Sequence, residues 1–109
     1  MSGVARAGEG LPGAFALSQN YPNPFNPTTV IRYALPSVSR VTLKVYNILG
    51  QEVKTLVNRD EEPGYRTVVW QGTNNAGNVV ASGIYFYRIE ANSLSGARFI
   101  ETKKVVLLR

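Results

Sequence analysis

A chain of 109 residues, 44% hydrophobic and 17% charged, is one packed domain, long enough to bury about 60–65% of its unfolded surface. It has no cysteine and no histidine, which excludes a disulfide framework, a thiolate nucleophile, a cysteine-based zinc site and the commonest general base. Twelve Lys and Arg against seven Asp and Glu give a formal charge of +5, but the bases are scattered, which argues against nucleic-acid binding and leaves a mild attraction to anionic glycans or lipid headgroups.

Residues 1–14, rich in Gly, Ala and Ser, read as a flexible linker without the apolar centre of a signal peptide. No apolar run approaches the roughly 18 residues that a membrane span needs. Phe15, Leu17 and Tyr21 lay a short apolar strip before Tyr21-Pro22-Asn23-Pro24-Phe25-Asn26-Pro27-Thr28-Thr29. Three prolines in six residues hold φ near about −65° and remove backbone donors, so neither a helix nor a central strand forms there. Each proline also drives the residue before it toward extended geometry. A stiff lead-in is expected, in the manner of a rigid linker, with Tyr21 and Phe25 able to lie against a core. Asn20, Asn23 and Asn26 are expected to bond back to local backbone.

From Thr29 onward the pattern alternates with period two. Thr29–Leu35 places Ile31, Tyr33 and Leu35 on one face and Arg32 on the other, and Pro36 ends it. Val41–Tyr46 repeats the pattern, with Val41, Leu43 and Val45 inward. Asn47–Gln51 is a turn in which Gly50 supplies a positive φ. Glu52–Val57 returns as a strand, and the polar run Asn58–Gly64 reads as a solvated turn ending in Pro63-Gly64. Tyr65–Trp70 puts Val68 and Trp70 on one face, and a lone Trp in such a strand fits a core plug better than a sugar platform. After a loop dense in Asn and Gly, Val79–Ala81 forms a short edge strand interrupted by Ser82-Gly83. Ile84–Ala91 is β-branched and aromatic, with Tyr85, Tyr87 and Ile89 opposite Ile84, Phe86 and Arg88. That two-sided pattern suits a central strand. Arg98–Leu108 closes the chain. Seven strands at intervals of roughly 10–14 residues predict an all-β, antiparallel sandwich of immunoglobulin or fibronectin-III type.

No catalytic constellation is present. Asp60, Glu61 and Glu62 lack the alternating acidic spacing of a calcium loop, no carboxylate pair sits in a glycosidase motif, and Ser82 has no base to activate it. The amides of the Asn74–Asn78 loop could be presented to a glycan or a metal, but turn chemistry alone explains the loop. The basic-then-apolar run Lys103, Lys104, Val105, Val106, Leu107, Leu108 admits two readings. It completes the sandwich, or it offers an edge that another chain reads by strand addition.

The proline segment with Ile31-Arg32-Tyr33, the run Leu43–Val53, Trp70 with Asn74–Gly77, and Ala81–Arg88 stand in one order and spacing. Together, from about Phe15 to Arg109, they resemble the C-terminal sorting domain of the type IX secretion system in its type A form. They are also similar to the immunoglobulin-like domain of the flagellar hook-capping protein. The resemblance implies a module, 15–109, that ends a large secreted enzyme of Bacteroidetes-type bacteria. Its partners would be the outer-membrane secretion and sortase machinery, the upstream cargo enzyme, and the surface lipopolysaccharide to which the cargo is attached once the domain is removed. Cleavage is expected near residues 10–14. The resemblance places partner recognition on Lys103, Lys104, Val105, Val106, Leu107 and Leu108, and a structural motif on Tyr21, Pro22, Asn23, Pro24, Phe25, Pro27, Gly50, Trp70 and Gly83. The expected molecule is a monomer without cofactor or metal, not an enzyme, secreted and held at the cell surface. A carbohydrate-binding or cell-adhesive module, or a structural spacer, is the alternative.

Overall fold

The computed structural model describes residues 10–109, so most of the expected linker lies outside the described residues. Among the described residues there are seven strands: β1 (Ala16–Leu17), β2 (Thr29–Leu35), β3 (Ser39–Tyr46), β4 (Glu52–Glu61), β5 (Gly64–Trp70), β6 (Gly83–Ser93) and β7 (Arg98–Leu107). They make two antiparallel sheets, β1-β2-β5 and β4-β3-β6-β7. The expected all-β, seven-stranded sandwich is the fold. Alternation explains the core: Ile31, Tyr33 and Leu35 from one sheet meet Val41, Leu43, Val45, Tyr87, Ile89, Val105 and Leu107 from the other. β6 lies between β3 and β7, the central place that its two apolar faces called for.

Two strand assignments need correction. Val79–Ala81 is not a strand: it makes one bridge, Thr73 to Val79, and Val79 is exposed. The loop closes on itself instead, with Val80 N–H donating to the Gly72 carbonyl and Asn74 Oδ1 accepting from Ala76 and Asn78 N–H, so no ladder is left to join. The seventh strand is Ala16–Leu17, paired with Ala34 and Tyr33. The polar run after Val57 is not a solvated turn either. β3 begins at Ser39, two residues before the apolar pattern, and its ladder carries β4 on to Glu61. Arg40 bonds Asn58 at 2.9 Å and pairs with Asp60 at 3.6 Å. Glu61 is buried, accepting from the Tyr33 hydroxyl on the facing sheet and pairing with Arg59 at 2.9 Å. Only Glu62-Pro63 is left as the turn.

The proline segment does more than lead in. Phe25 is buried and forms a parallel bridge with Leu107, so the segment closes one end of the sandwich. Its three X-Pro peptide bonds are cis. Tyr21, expected against the core, is 80% exposed instead. Its backbone exchanges both hydrogen bonds with Val30, an outward residue, and that pairing turns the ring outward as well. Asn20 bonds locally, to the Pro22 carbonyl and Thr29 Oγ1, whereas Asn23 reaches across to Val106 N–H.

Tyr87 fastens this segment to the opposite sheet. Its hydroxyl donates to the Ser18 carbonyl and accepts from Asn20 N–H, both at 2.7 Å. Burial pushes its phenol up to about 12, and burial with the Glu61 bond drives Tyr33 far above the usual phenol range. Both ionise near 10 when exposed. Folding therefore holds protons that the unfolded chain releases, and the stability this gives is full below pH 10 and lost as pH rises through about 12. Unfolding free energies from urea titrations should be flat to about pH 9.5, then fall by up to about 1.4 kcal/mol per pH unit for each tyrosine. Tyr87→Phe should start about 1–2 kcal/mol lower and fall less steeply. Identical slopes for the two proteins would contradict the assignment.

Candidate functional site

β7 carries the expected recognition residues, and its period of two divides them between two surfaces. Val105 and Leu107 are fully buried in the core. Lys103 is half-buried and pairs with Glu101 at 3.0 Å. Lys104, Val106 and Leu108 turn to the outer face of the four-stranded sheet. The run thus completes the sandwich with one set of side chains and turns the other set away from the core.

Strand addition along this run is already taken by the chain itself. Phe25 N–H donates to the Val106 carbonyl and Leu108 N–H donates to the Phe25 carbonyl, both at 3.0 Å. Asn23 Oδ1 accepts from Val106 N–H at 3.0 Å, and Gln19 Nε2 donates to the Lys104 carbonyl at 2.7 Å. The expected open edge is covered from Lys104 to Leu108 because the buried Phe25 anchor brings the proline segment alongside it.

On the outer face, register builds a site. Val106 stands opposite Ile84 and Lys104 opposite Phe86, while Phe86 stands opposite Tyr46 on its other side. Arg88 lies between Lys44 and Thr102. Ile84 and Leu108 are 44% and 53% exposed. The turn after β3 adds exposed Ile48 and Leu49. There Gly50 has φ 79°, and Asn47 Oδ1 accepts from Leu49 and Gln51 N–H. A shallow depression lined by Tyr46, Ile48, Phe86, Arg88 and Thr102 runs between turn and sheet. An apolar strip rimmed by polar groups is the usual form of an interaction surface.

The rim is positive. Lys44 pairs with Glu52 at 3.2 Å, and hydrogen bonds from Thr55, then Asn75, then Lys44 hold that carboxyl below the usual carboxylate range. Arg98 holds Glu90 down in the same way from 2.8 Å. Among the described residues Arg88 and Lys104 form no ion pair. The strip suits a partner that is partly apolar and acidic.

The other expected residues are structural. Trp70 is fully buried between Phe25 and Tyr85, each 5.3 Å away, and its indole N–H donates to the Thr73 carbonyl. Gly83 opens β6 opposite Leu107. Pro22, Pro24 and Pro27 lie exposed around the buried Phe25. The Asn loop spends its amides on the protein: Asn75 N–H donates to the Val53 carbonyl, and its Oδ1 accepts from Thr55 N–H. Sequence reasoning missed Tyr46, Ile84, Phe86 and Arg88 as site residues. The second face of β6 was visible in its alternation, but its meeting with alternate residues of β7 depends on register.

The profile of the FlgD Ig-like domain matches residues 25–95, which leaves β1 and β7 outside the matched span. No curated protein sequence matches the chain. Among solved structures, dimeric latent PorU from Porphyromonas gingivalis superposes with TM-score 0.69 at 20% identity, over 89% of this chain and 10% of that one. FlgD from Xanthomonas campestris gives 0.61 at 23% identity, over 86% of this chain and 70% of that one. FlgD from P. aeruginosa gives 0.57 at 22%, over 72% and 61%. The likeness to these three is one of fold, and the chain spans about a tenth of the length of PorU.

Proposed function

Since the chain belongs to the FlgD Ig-like domain family, we propose that it is a non-catalytic address which directs type IX secretion and cell-surface attachment of an enzyme upstream in the same polypeptide. The observation that carries this reading is the division of β7, in which Lys104, Val106 and Leu108 leave the core and join Ile84, Phe86 and Tyr46 in one cation-rimmed strip. The ordered motifs that resemble the type A sorting domain supply the rest. In this reading the partner is the outer-membrane secretion and sortase machinery, and the site of action is the outer-membrane exterior, with lipopolysaccharide as the attachment point. A rigid sheet suits the task, because its side chains are already placed and little ordering is needed on binding. The buried titratable groups support a non-catalytic role: Tyr33, Glu61 and Tyr87 join the two sheets or fasten the proline segment, and the Tyr85 hydroxyl donates to the Ala81 carbonyl.

A secreted passenger fused ahead of residues 11–109 in a type IX-competent host tests this. The parent fusion should reach the surface. Lys104→Glu with Leu108→Ser should lower surface display at least about tenfold, the scale of losing interface anchors, with the melting temperature unchanged. Arg32→Ala on the opposite sheet should export normally. Equal export of the parent and the double variant would overturn the site assignment, and a passenger that reaches the surface without residues 11–109 would leave a structural spacer as the better account.

A further inference from the structure

We infer that the outer face of the three-stranded sheet is a binding platform for a linear acidic glycan, a polyuronate. This is independent of the sorting surface, which lies on the other sheet. β2 turns Ile31, Tyr33 and Leu35 inward, so Val30 and Arg32 face out, and β5 turns out Tyr65, Thr67 and Val69 by the same alternation. Register fixes three levels across the face: Tyr21, Val30 and Val69; then Arg32 and Thr67; then Ala34 and Tyr65. The Tyr21 and Tyr65 rings are 80% and 66% exposed, so neither adds much to the core. They stand at the two ends of the face, on opposite sides of β2. Four residues of strand separate their levels, about 13 Å along the sheet, a span that accommodates a few sugar rings.

Arg32 lies between the two tyrosines and borders both depressions of the face. One of these is shared with Tyr21, Val30 and Thr67, the other with Ser18, Ala34 and Tyr65. Aromatic faces stack on the apolar faces of sugars while the phenol hydroxyls stay wet. A guanidinium fork fits a carboxylate in a bidentate pair. No acidic side chain stands at any of the three levels, and among the described residues Arg32 has no ion pair. The face is therefore aromatic at both ends and cationic in the middle, in a chain of formal charge +5. A neutral glycan would use the rings and leave Arg32 idle; a uronate uses all three.

Affinity electrophoresis and calorimetry of the whole chain against polygalacturonate and its methyl ester test the inference. Polygalacturonate should bind and the uncharged ester should bind more weakly. Tyr21→Ala or Tyr65→Ala should weaken binding by about tenfold, the effect of one lost aromatic anchor, while Tyr→Phe at either site keeps most of it. Arg32→Ala should abolish the preference for the charged polymer. Melting temperatures should not move, since all three side chains are exposed. Lys104→Glu should leave glycan affinity unchanged, and the glycan-face variants should leave export unchanged, so either proposal can fail alone. No binding of polygalacturonate, equal binding of the ester, or binding indifferent to Tyr21, Tyr65 and Arg32 would overturn it.

Discussion

Removing Lys103–Arg109 should unfold the domain, not merely silence it. Val105 and Leu107 are fully buried, and each aliphatic side chain lost from such a core costs about 2–5 kcal/mol. The cut also takes away the ladder that pairs Lys103–Leu107 with Gly83–Tyr87. It strips Phe25 of its backbone partners at Val106 and Leu108, so the proline segment loses its seat. Arg109 goes too, and with it the bonds to the Val80 and Gly72 carbonyls that hold the loop before β6. These losses together match or exceed the roughly 5–15 kcal/mol that a domain has to lose. Circular dichroism and amide dispersion of the truncated chain should be those of an unfolded polypeptide. A cooperative unfolding transition in that protein would refute the assignment of β7 to the core. The consequence for function is direct. Export lost on truncation reports folding, and only outward substitutions such as Lys104→Glu and Leu108→Ser, expected to change stability by less than about 0.5 kcal/mol, report recognition.

The fold was legible in the sequence wherever one face of a strand is apolar and the other polar. β2, β3, β5 and β6 were placed to within two residues, because alternation is the physical cause of their burial. Elsewhere the pattern carried less than the structure needs. Asn58–Glu61 is a strand although every residue in it is polar, since its ladder comes from β3 and its side chains find arginines and Tyr33. Ala16–Leu17 is too short to show a period at all. Tyr21 and Phe25 look similar in sequence, each an aromatic ring next to a proline of the same segment. A single bridge to Val30 sends one ring outward, and a bridge to Leu107 sends the other into the core. The candidate site was half legible for the same reason. Its residues on β7 stood in the basic-apolar run, but which of them face outward follows from parity, and what they join on β3 and β6 follows from register.

Trp70→Ala should be the most damaging single substitution in the chain, at about 3–5 kcal/mol. The indole is the largest fully buried side chain. It lies tilted at 51° to Phe25 and near-perpendicular to Tyr85, both with ring centroids 5.3 Å away, geometries that add about 0.5–1.5 kcal/mol per pair beyond the area buried. Because Phe25 belongs to the proline segment and Tyr85 to β6, the cavity would open where the segment, β5 and the opposite sheet meet. Little there can collapse to fill it, since Phe25 is tethered on both sides by prolines and bridged to Leu107. The Thr73 carbonyl would lose its indole donor as well. Urea unfolding followed by circular dichroism measures the loss; fluorescence cannot serve, as the chain has one Trp. Phe25→Ala and the double variant complete a cycle. Contact between the rings requires a coupling of at least about 0.5 kcal/mol, with the double variant less damaged than the sum. Additive losses, or a Trp70→Ala cost below about 1 kcal/mol, would mean that the proline segment is not held by this aromatic cluster, and its seat on β7 would then rest on the backbone bonds alone.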